Sequence, residues 1–164
     1  MSPSPSITQS AVARQSAETE LRRLVTKFTP GDHRLVTAMR RSLRKRLPTA
    51  HELVYEYSNW LVISYSPNEH GYEGVLALRA SENGVGLYFN RGKELPDPEK
   101  LLHGSGKQAR SIPMEGAFTL ARPAVARLID EAIARNRVPF ASTGRGPLVI
   151  RSASAKQRPR RRPA

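Results

Sequence analysis

Residues 52–89 decide the fold, and they read ELVYEYSNWLVISYSPNEHGYEGVLALRASENGVGLYF. The segment is rich in β-branched and aromatic residues and predicts four strands, at 52–57, 60–65, 72–80 and 85–89. Short connections separate these strands, and Asn83-Gly84 predicts a turn with positive φ at both positions. Because loops this short cannot make a parallel crossover, the segment predicts an antiparallel meander.

Apolar residues at helical spacing flank this segment on both sides. They predict a first helix over 17–28, a second one capped by Asp32 and ending at Leu47, and a third beginning near Pro123. The runs at 110–114 and 148–151 are candidates for further strands. The predicted fold class is α+β, with an antiparallel sheet of about five strands packed against N-terminal and C-terminal helices.

The chain of 164 residues fits one domain. We expect a disordered N-terminal arm over 1–16, an α+β domain over 17–152 and a disordered basic tail over 153–164, because the tail has nothing to bury. The sequence contains no cysteine, which excludes disulfides and thiolate chemistry and suits a cytoplasmic location. No stretch is apolar enough to span a membrane.

The net charge of +13 is unevenly distributed. Residues 19–47 have nine basic and two acidic residues, residues 48–140 have ten and eleven, and residues 141–164 have seven and none. The charge is therefore concentrated in a helical region and the tail, which indicates a polyanionic partner or surface.

Two groups of basic residues are candidates for binding phosphates. The first lies on one side of the second predicted helix and comprises Arg40, Arg41, Arg44 and Lys45. The second lies in the tail, where prolines prevent a helix, and comprises Lys156, Arg158, Arg160, Arg161 and Arg162. Such contacts would hold DNA, RNA or another polyanion without strong sequence preference. For the helix, a face that is simply hydrated is an equally good interpretation.

Several sequence blocks resemble a known family. They are 54–59 (VYEYSN), 85–89 (VGLYF), 95–98 (LPDP), 101–107 (LLHGSGK), 110–112 (RSI), 144–146 (GRG), 148–150 (LVI) and 156–161 (KQRPRR). Over residues 52–164 the chain is similar to the YdhG-like domain family, some members of which look like frataxin-like iron chaperones. The resemblance implies an α+β fold and no assigned catalytic residues. Iron binding is not expected, because hard cations need clustered carboxylates and the acidic residues here are scattered.

Aromatic and basic residues of the predicted sheet form a second candidate site, a small-molecule pocket comprising Tyr57, Trp60, Tyr88, Lys107 and Arg110. Ordinary packing between strands is the favoured interpretation of these aromatic residues. The run Gly104-Ser105-Gly106-Lys107 resembles a phosphate loop, but Gln108 replaces the required Ser or Thr, so a tight turn before an edge strand is favoured.

No pattern of residues predicts catalysis. The four histidines are far apart, no serine has a nucleophile context, and Glu52 and Glu56 are expected to be hydrated charges on a sheet face. We expect a non-enzymatic binding domain without a cofactor. A small-molecule or metal-handling module and an enzyme with a dispersed site remain alternatives.

Overall fold

A computed structural model of the protein describes residues 8–151. In chain order, its α-helices and strands are α1 (Ala11–Val25), α2 (Pro30–Arg46), β1 (His51–Glu56), β2 (Trp60–Ser66), β3 (Leu76–Ser81), β4 (Gly84–Phe89), β5 (Arg110–Pro113), α3 (Pro123–Arg135) and β6 (Leu148–Arg151). The strands form one sheet in the order β5-β4-β3-β2-β1-β6. The predicted α+β fold class is confirmed.

The sheet differs from the prediction at one edge. Strands β1 to β4 form the predicted antiparallel meander, and β5 joins β4 antiparallel. Strand β6 lies parallel to β1, so the sheet is mixed and has six strands. A parallel pair is possible here because the chain from β1 to β6 is long and contains α3.

The helices cover one face of the sheet, called here the helix face. Its core contains Leu21, Leu24 and Val25 of α1, Val36, Met39 and Leu43 of α2, Val125, Leu128 and Ile129 of α3, and alternate sheet residues that include Ile63, Leu78 and Leu87. The opposite face, called here the open face, is covered only at one end. There the segment 67–74 places Gly71 against Tyr55 and Gly74 against Ser64.

Two helix starts differ from the prediction. Helix α1 begins at Ala11, capped by Ser10, so residues 11–16 are helical rather than part of a disordered arm. The side chain of Gln9 fastens this end to the edge strand, since it bonds both the N–H and the C=O of Leu148 at 3.0 and 2.9 Å. The predicted basic tail and residues 1–7 lie outside the described residues.

Helix α2 is capped by Thr29 rather than by Asp32. Thr29 accepts a hydrogen bond from the Asp32 N–H at 3.1 Å, and Pro30 occupies the first helical position, where its missing N–H carries no cost. Helix α3 begins at Pro123 as predicted.

The turn between β3 and β4 uses different residues from those predicted. Ser81 pairs with Gly84, which makes Glu82 and Asn83 the central residues of the turn. Gly84 has a φ of 107°, whereas Asn83 does not have a positive φ. The prediction of positive φ at both Asn83 and Gly84 was therefore wrong. Within residues 8–151, no helix is both long enough and apolar enough to cross a membrane.

Candidate functional site

A cleft of about 800 Å³ opens between α1 and α2. Its floor is apolar and includes Leu21 and Val25 of α1 and Val36 of α2. Its walls carry six basic and two acidic side chains: Arg22, Arg40, Arg41, Arg44, Lys45, Arg145, Glu18 and Glu52. The four basic residues that the sequence predicted on the second helix therefore line one cavity.

Arg40 binds two carboxylates at the base of the cleft. Its Nη1 and Nη2 donate to Glu18 at 2.6 and 2.8 Å, and its Nε and Nη2 donate to Glu52 at 2.8 and 2.9 Å. The Tyr65 hydroxyl donates to Glu52 at 2.9 Å. The residues Arg40, Glu18, Glu52 and Tyr65 are called here the Arg40 clamp.

The structure of the Arg40 clamp contradicts two predictions made from the sequence. Arg40 was placed on the exposed side of the helix, but its side chain is 12% exposed and its donors are engaged by the two carboxylates. Glu52 was expected to be hydrated, but the residue is 2% exposed. The reason is that α1 and α2 cover the face of β1 to which Glu52 points.

The clamp shifts the pKa values of Arg40, Glu18 and Tyr65. Burial lowers the pKa of Arg40, but the hydrogen bonds and charges of Glu18 and Glu52 outweigh it, and the pKa is raised. The hydrogen bond from Arg40 lowers the pKa of Glu18. Burial, followed by the charge and the hydrogen bond of Glu52, raises the pKa of Tyr65. The hydroxyl of Tyr65 thus stays protonated and acts as a donor.

Positive charge is in excess at one end of the cleft. Arg14 of α1 donates to the carbonyl of Gly146, and its Nη1 lies 3.7 Å from Glu18 but has no hydrogen-bond partner among the described residues. Burial, and then repulsion by Arg145 and Arg44, lower the pKa of Arg14. Crowded cations of this kind favour the binding of an anion.

Four cations of the cleft have no ion pair within residues 8–151: Arg22, Arg41, Lys45 and Arg145. Arg44 is intermediate, since its guanidinium lies 3.6 and 3.7 Å from Glu18 and Glu52 without a hydrogen bond to either. Because two carboxylates face six cations, the lining carries a formal excess of four positive charges. The four unpaired residues are the groups that could bind phosphate oxygens.

The predicted small-molecule pocket does not form as one site. On the open face, Arg79 contacts the rings of Trp60 and Tyr88, and Tyr57 contacts Trp60. The sequence did not single out Arg79. Arg110 pairs with Phe89, which faces the helices, so alternation along the strand places Arg110 on the other side of the sheet from Tyr88.

Lys107 belongs to an exposed loop before β5, and this loop does not have the structure of a phosphate loop. Gly104 has a φ of 126°, and the chain continues into an edge strand rather than into a helix. The guanidinium of Arg110 donates to the carbonyls of Gly106 and Ala109 at 2.8 and 2.7 Å. The expected edge strand is present, but the seven residues 104–110 separate the paired residues His103 and Ser111, so the connection is a longer loop rather than a tight turn.

The histidines lie in separate places. His33 lines the cleft, and His70 stacks on Tyr72. His51 is buried, and both its ring nitrogens lack a hydrogen-bond partner among the described residues. In the described part of the chain, no group of three or more His, Asp or Glu residues is arranged to hold a metal ion.

Sequence reasoning did not single out Glu18, Arg22 and Arg145, which line the cleft, or their neighbours Arg14 and Tyr65, and it interpreted Glu52 as a hydrated charge. The alternation of β1 could have shown that Glu52 is buried. Val54 lies between Glu52 and Glu56 on the same face of the strand, and Val54 belongs to the core. No local sequence pattern predicts that Glu18 or Arg145 lies in the cleft, because both reach it from distant parts of the chain.

Comparisons of the chain with models of protein families, with curated proteins and with solved structures found no match in any of the three. The resemblance to the YdhG-like family therefore stays a prediction.

Proposed function

We propose that the protein is a non-enzymatic binding domain that holds the phosphates of DNA or RNA in the cleft between α1 and α2. The observation that carries the proposal is the set of four unpaired cations in one cavity, Arg22, Arg41, Lys45 and Arg145. Lys and Arg are the residues that neutralise phosphates when proteins bind nucleic acids. These contacts to the nucleic-acid backbone would not select a base sequence.

The Arg40 clamp supports this proposal through its geometry. It joins α1, α2 and β1, because Glu18, Arg40 and Glu52 belong to those three elements. A rigid base of this kind holds α1 and α2, the helices that carry Arg22, Arg41 and Lys45, in place before the ligand arrives, which reduces the ordering cost of binding.

The same clamp supports a non-enzymatic role. General acid–base catalysis needs a carboxyl group that can exchange a proton with a substrate. Glu18 and Glu52 each accept two hydrogen bonds from Arg40, and the bond from Arg40 lowers the pKa of Glu18, which makes that carboxylate a weaker base.

Family membership and location belong to the same proposal. The sheet and its covering helices are the kind of architecture that the YdhG-like resemblance implies. A cytoplasmic location is supported by the absence of cysteine from the sequence and would give the cleft access to nucleic acids.

The test removes three of the unpaired cations together. We expect the variant Arg41→Gln, Lys45→Gln and Arg145→Gln to bind duplex DNA more weakly than the unchanged protein. Each lost phosphate contact lowers the slope of log K against log salt by about 0.9, so the slope should fall by up to about 2.7. Fluorescence anisotropy at several salt concentrations measures both quantities.

The matched control removes the same charge elsewhere. Lys93, Lys100 and Arg137 are exposed, lie outside the cleft and have no ion pair within residues 8–151. Changing these three residues to glutamine should leave the salt slope nearly unchanged. Equal losses in both triple variants would mean that net charge, rather than the cleft, determines binding, and the proposal would be wrong.

A small anionic ligand is the second candidate for the cleft. It is favoured by the apolar floor of Leu21, Val25 and Val36, because a cavity with an apolar floor and a charged rim suits a compact molecule. Native mass spectrometry of freshly purified protein, with and without nuclease treatment, separates the two. A bound mass that survives nuclease indicates a small ligand, and one that disappears indicates nucleic acid.

A further inference from the structure

A row of four side chains crosses the half of the open face that the segment 67–74 leaves uncovered. Tyr57 and Trp60 have ring centroids 4.4 Å apart. The guanidinium carbon of Arg79 lies 3.5 Å from the centroid of the Trp60 ring and 5.4 Å from that of the Tyr88 ring. The residues Tyr57, Trp60, Arg79 and Tyr88 are called here the aromatic row. All four side chains are half-buried.

The aromatic row is longer than one aromatic ligand. Tyr57 follows β1, and the other three members belong to β2, β3 and β4, which are neighbours in the sheet. Four strands at a spacing of about 4.8 Å span about 14 Å. A surface of this length fits a chain that carries several rings better than it fits a single ring.

Arg79 is a cation without a partner of opposite charge. Within the described residues it has ring contacts with Trp60 and Tyr88 but no hydrogen bond or ion pair. Stacking on a ring fixes the plane of the guanidinium and leaves its in-plane N–H groups free. Those groups can donate to a phosphate oxygen in the geometry that makes arginine a common phosphate ligand.

The charges of the strands favour an anion on this face. Alternation along the strands places Arg79 and Arg151 on the open face and places no acidic strand residue there, whereas Glu52 and Glu56 point to the helix face. The open face of the described strands is therefore cationic.

Tyr88 is half-buried, so part of its ring is exposed to solvent. A Cβ atom built on Gly86 would lie 3.0 Å from the Cε1 of Tyr88, so the ring lies over the Gly86 backbone with one side on the sheet. Arg79 lies over the ring, 5.4 Å from its centroid, and a base would stack on the part of the ring that remains exposed. At the opposite end of the row, Tyr57 has Trp60 on one side of its ring.

We propose that the aromatic row binds single-stranded nucleic acid. Bases stack on the exposed parts of the Tyr57 and Tyr88 rings, and Arg79 donates to a phosphate between them. The proposal deepens the proposed function and rests on it for the class of ligand. It adds a preference for single strands over duplexes, because the bases of a duplex already stack on each other and cannot stack on the aromatic row.

Trp60 provides a direct test, since it is the only tryptophan in the sequence. We expect a short single strand of mixed sequence, added to the full-length protein, to change the Trp60 emission, and its duplex to leave the emission unchanged. Tyr88→Leu should weaken single-strand binding about fivefold or more. Arg79→Gln should lower the single-strand salt slope by about 0.7.

Matched variants control for general effects. Tyr72 is 80% exposed and lies outside the row, so Tyr72→Leu should bind as the unchanged protein does. Arg137→Gln removes the same charge as Arg79→Gln, at a site away from the row. Tyr57→Leu is a second row variant if Tyr88→Leu does not fold.

The outcomes separate this inference from the proposed function. Single-strand binding without a change in Trp60 emission, or row variants with unchanged affinity, would overturn the inference alone. If the row variants weaken binding and the cleft variant does not, the inference stands and the cleft proposal fails. If the unchanged protein binds neither single strands nor duplexes, both proposals fail.

Discussion

At the scale of single residues, Arg40 both lines the cleft and joins three elements of the fold. Its four hydrogen bonds hold Glu18 of α1 and Glu52 of β1 against α2. Buried charges of this kind are tolerated when they are paired and hydrogen-bonded, and removing one partner leaves the others unsatisfied. The clamp is therefore a structural element that lies beneath the proposed binding surface.

Glu52→Gln tests the structural role of the clamp. The amide keeps the shape of the carboxylate but loses its charge, so we expect the free energy of unfolding to fall by about 1–3 kcal/mol. Glu99→Gln is the control, because Glu99 and its partner Arg127 are 57% and 65% exposed and such pairs contribute about 0–1 kcal/mol. Urea denaturation measures both. Equal stability of the two variants would contradict a structural clamp.

Glu18 also makes stability depend on pH. Its folded-state pKa lies below the ordinary value of 4.5, chiefly because Arg40 donates to it. The unfolded chain therefore takes up the proton first, and the stabilisation that is present above pH 4.5 is lost as the pH falls through the folded-state pKa. We expect Glu18→Gln to flatten the decline of stability below pH 4.5. Glu131→Gln, in an exposed pair with Arg135, should keep the decline, and the same decline in both variants would contradict this assignment.

At the scale of elements, local signals predicted the meander and failed at the edge of the sheet. Short turns allowed only antiparallel pairing of β1 to β4, and the structure has that pairing. The parallel pairing of β6 with β1 joins residues that are far apart in the chain, so no local sequence pattern predicts it. The start of α1 had a local signal, the capping residue Ser10, and distant contacts of Gln9 and Arg14 with Leu148 and Gly146 stabilise it.

At the scale of the whole molecule, the predicted tail is a second cationic element besides the cleft. Lys156, Arg158, Arg160, Arg161 and Arg162 lie outside the described residues, and their binding role stays a prediction. Deletion of residues 153–164 should leave the fold intact, because the composition of the segment offers nothing to a core. It should weaken DNA binding similarly for all sequences and lower the salt slope by up to about 4.5.

Fluorescence anisotropy of the full-length and shortened proteins over a salt series measures this effect. Circular dichroism checks that the fold is retained. Equal affinities and equal slopes for the two proteins would exclude a phosphate-binding role for the tail.

The sequence by itself determined the fold class, the meander and the position of the basic helix. Each follows from local properties, namely hydrophobic periodicity, turn length and the spacing of charges along one helix. It also placed Arg40, Arg41, Arg44 and Lys45 on one helix, and the structure brings all four to the cleft.

Only the tertiary structure decided what those residues can do. It engaged Arg40 with Glu18 and Glu52, left Arg41 and Lys45 unpaired, and added Arg145 from a distant loop. It also separated Arg110 from Tyr88 and placed Arg79 on Trp60. These outcomes depend on which face of a strand a helix covers and on which distant side chain reaches a charge, and neither is encoded in local spacing.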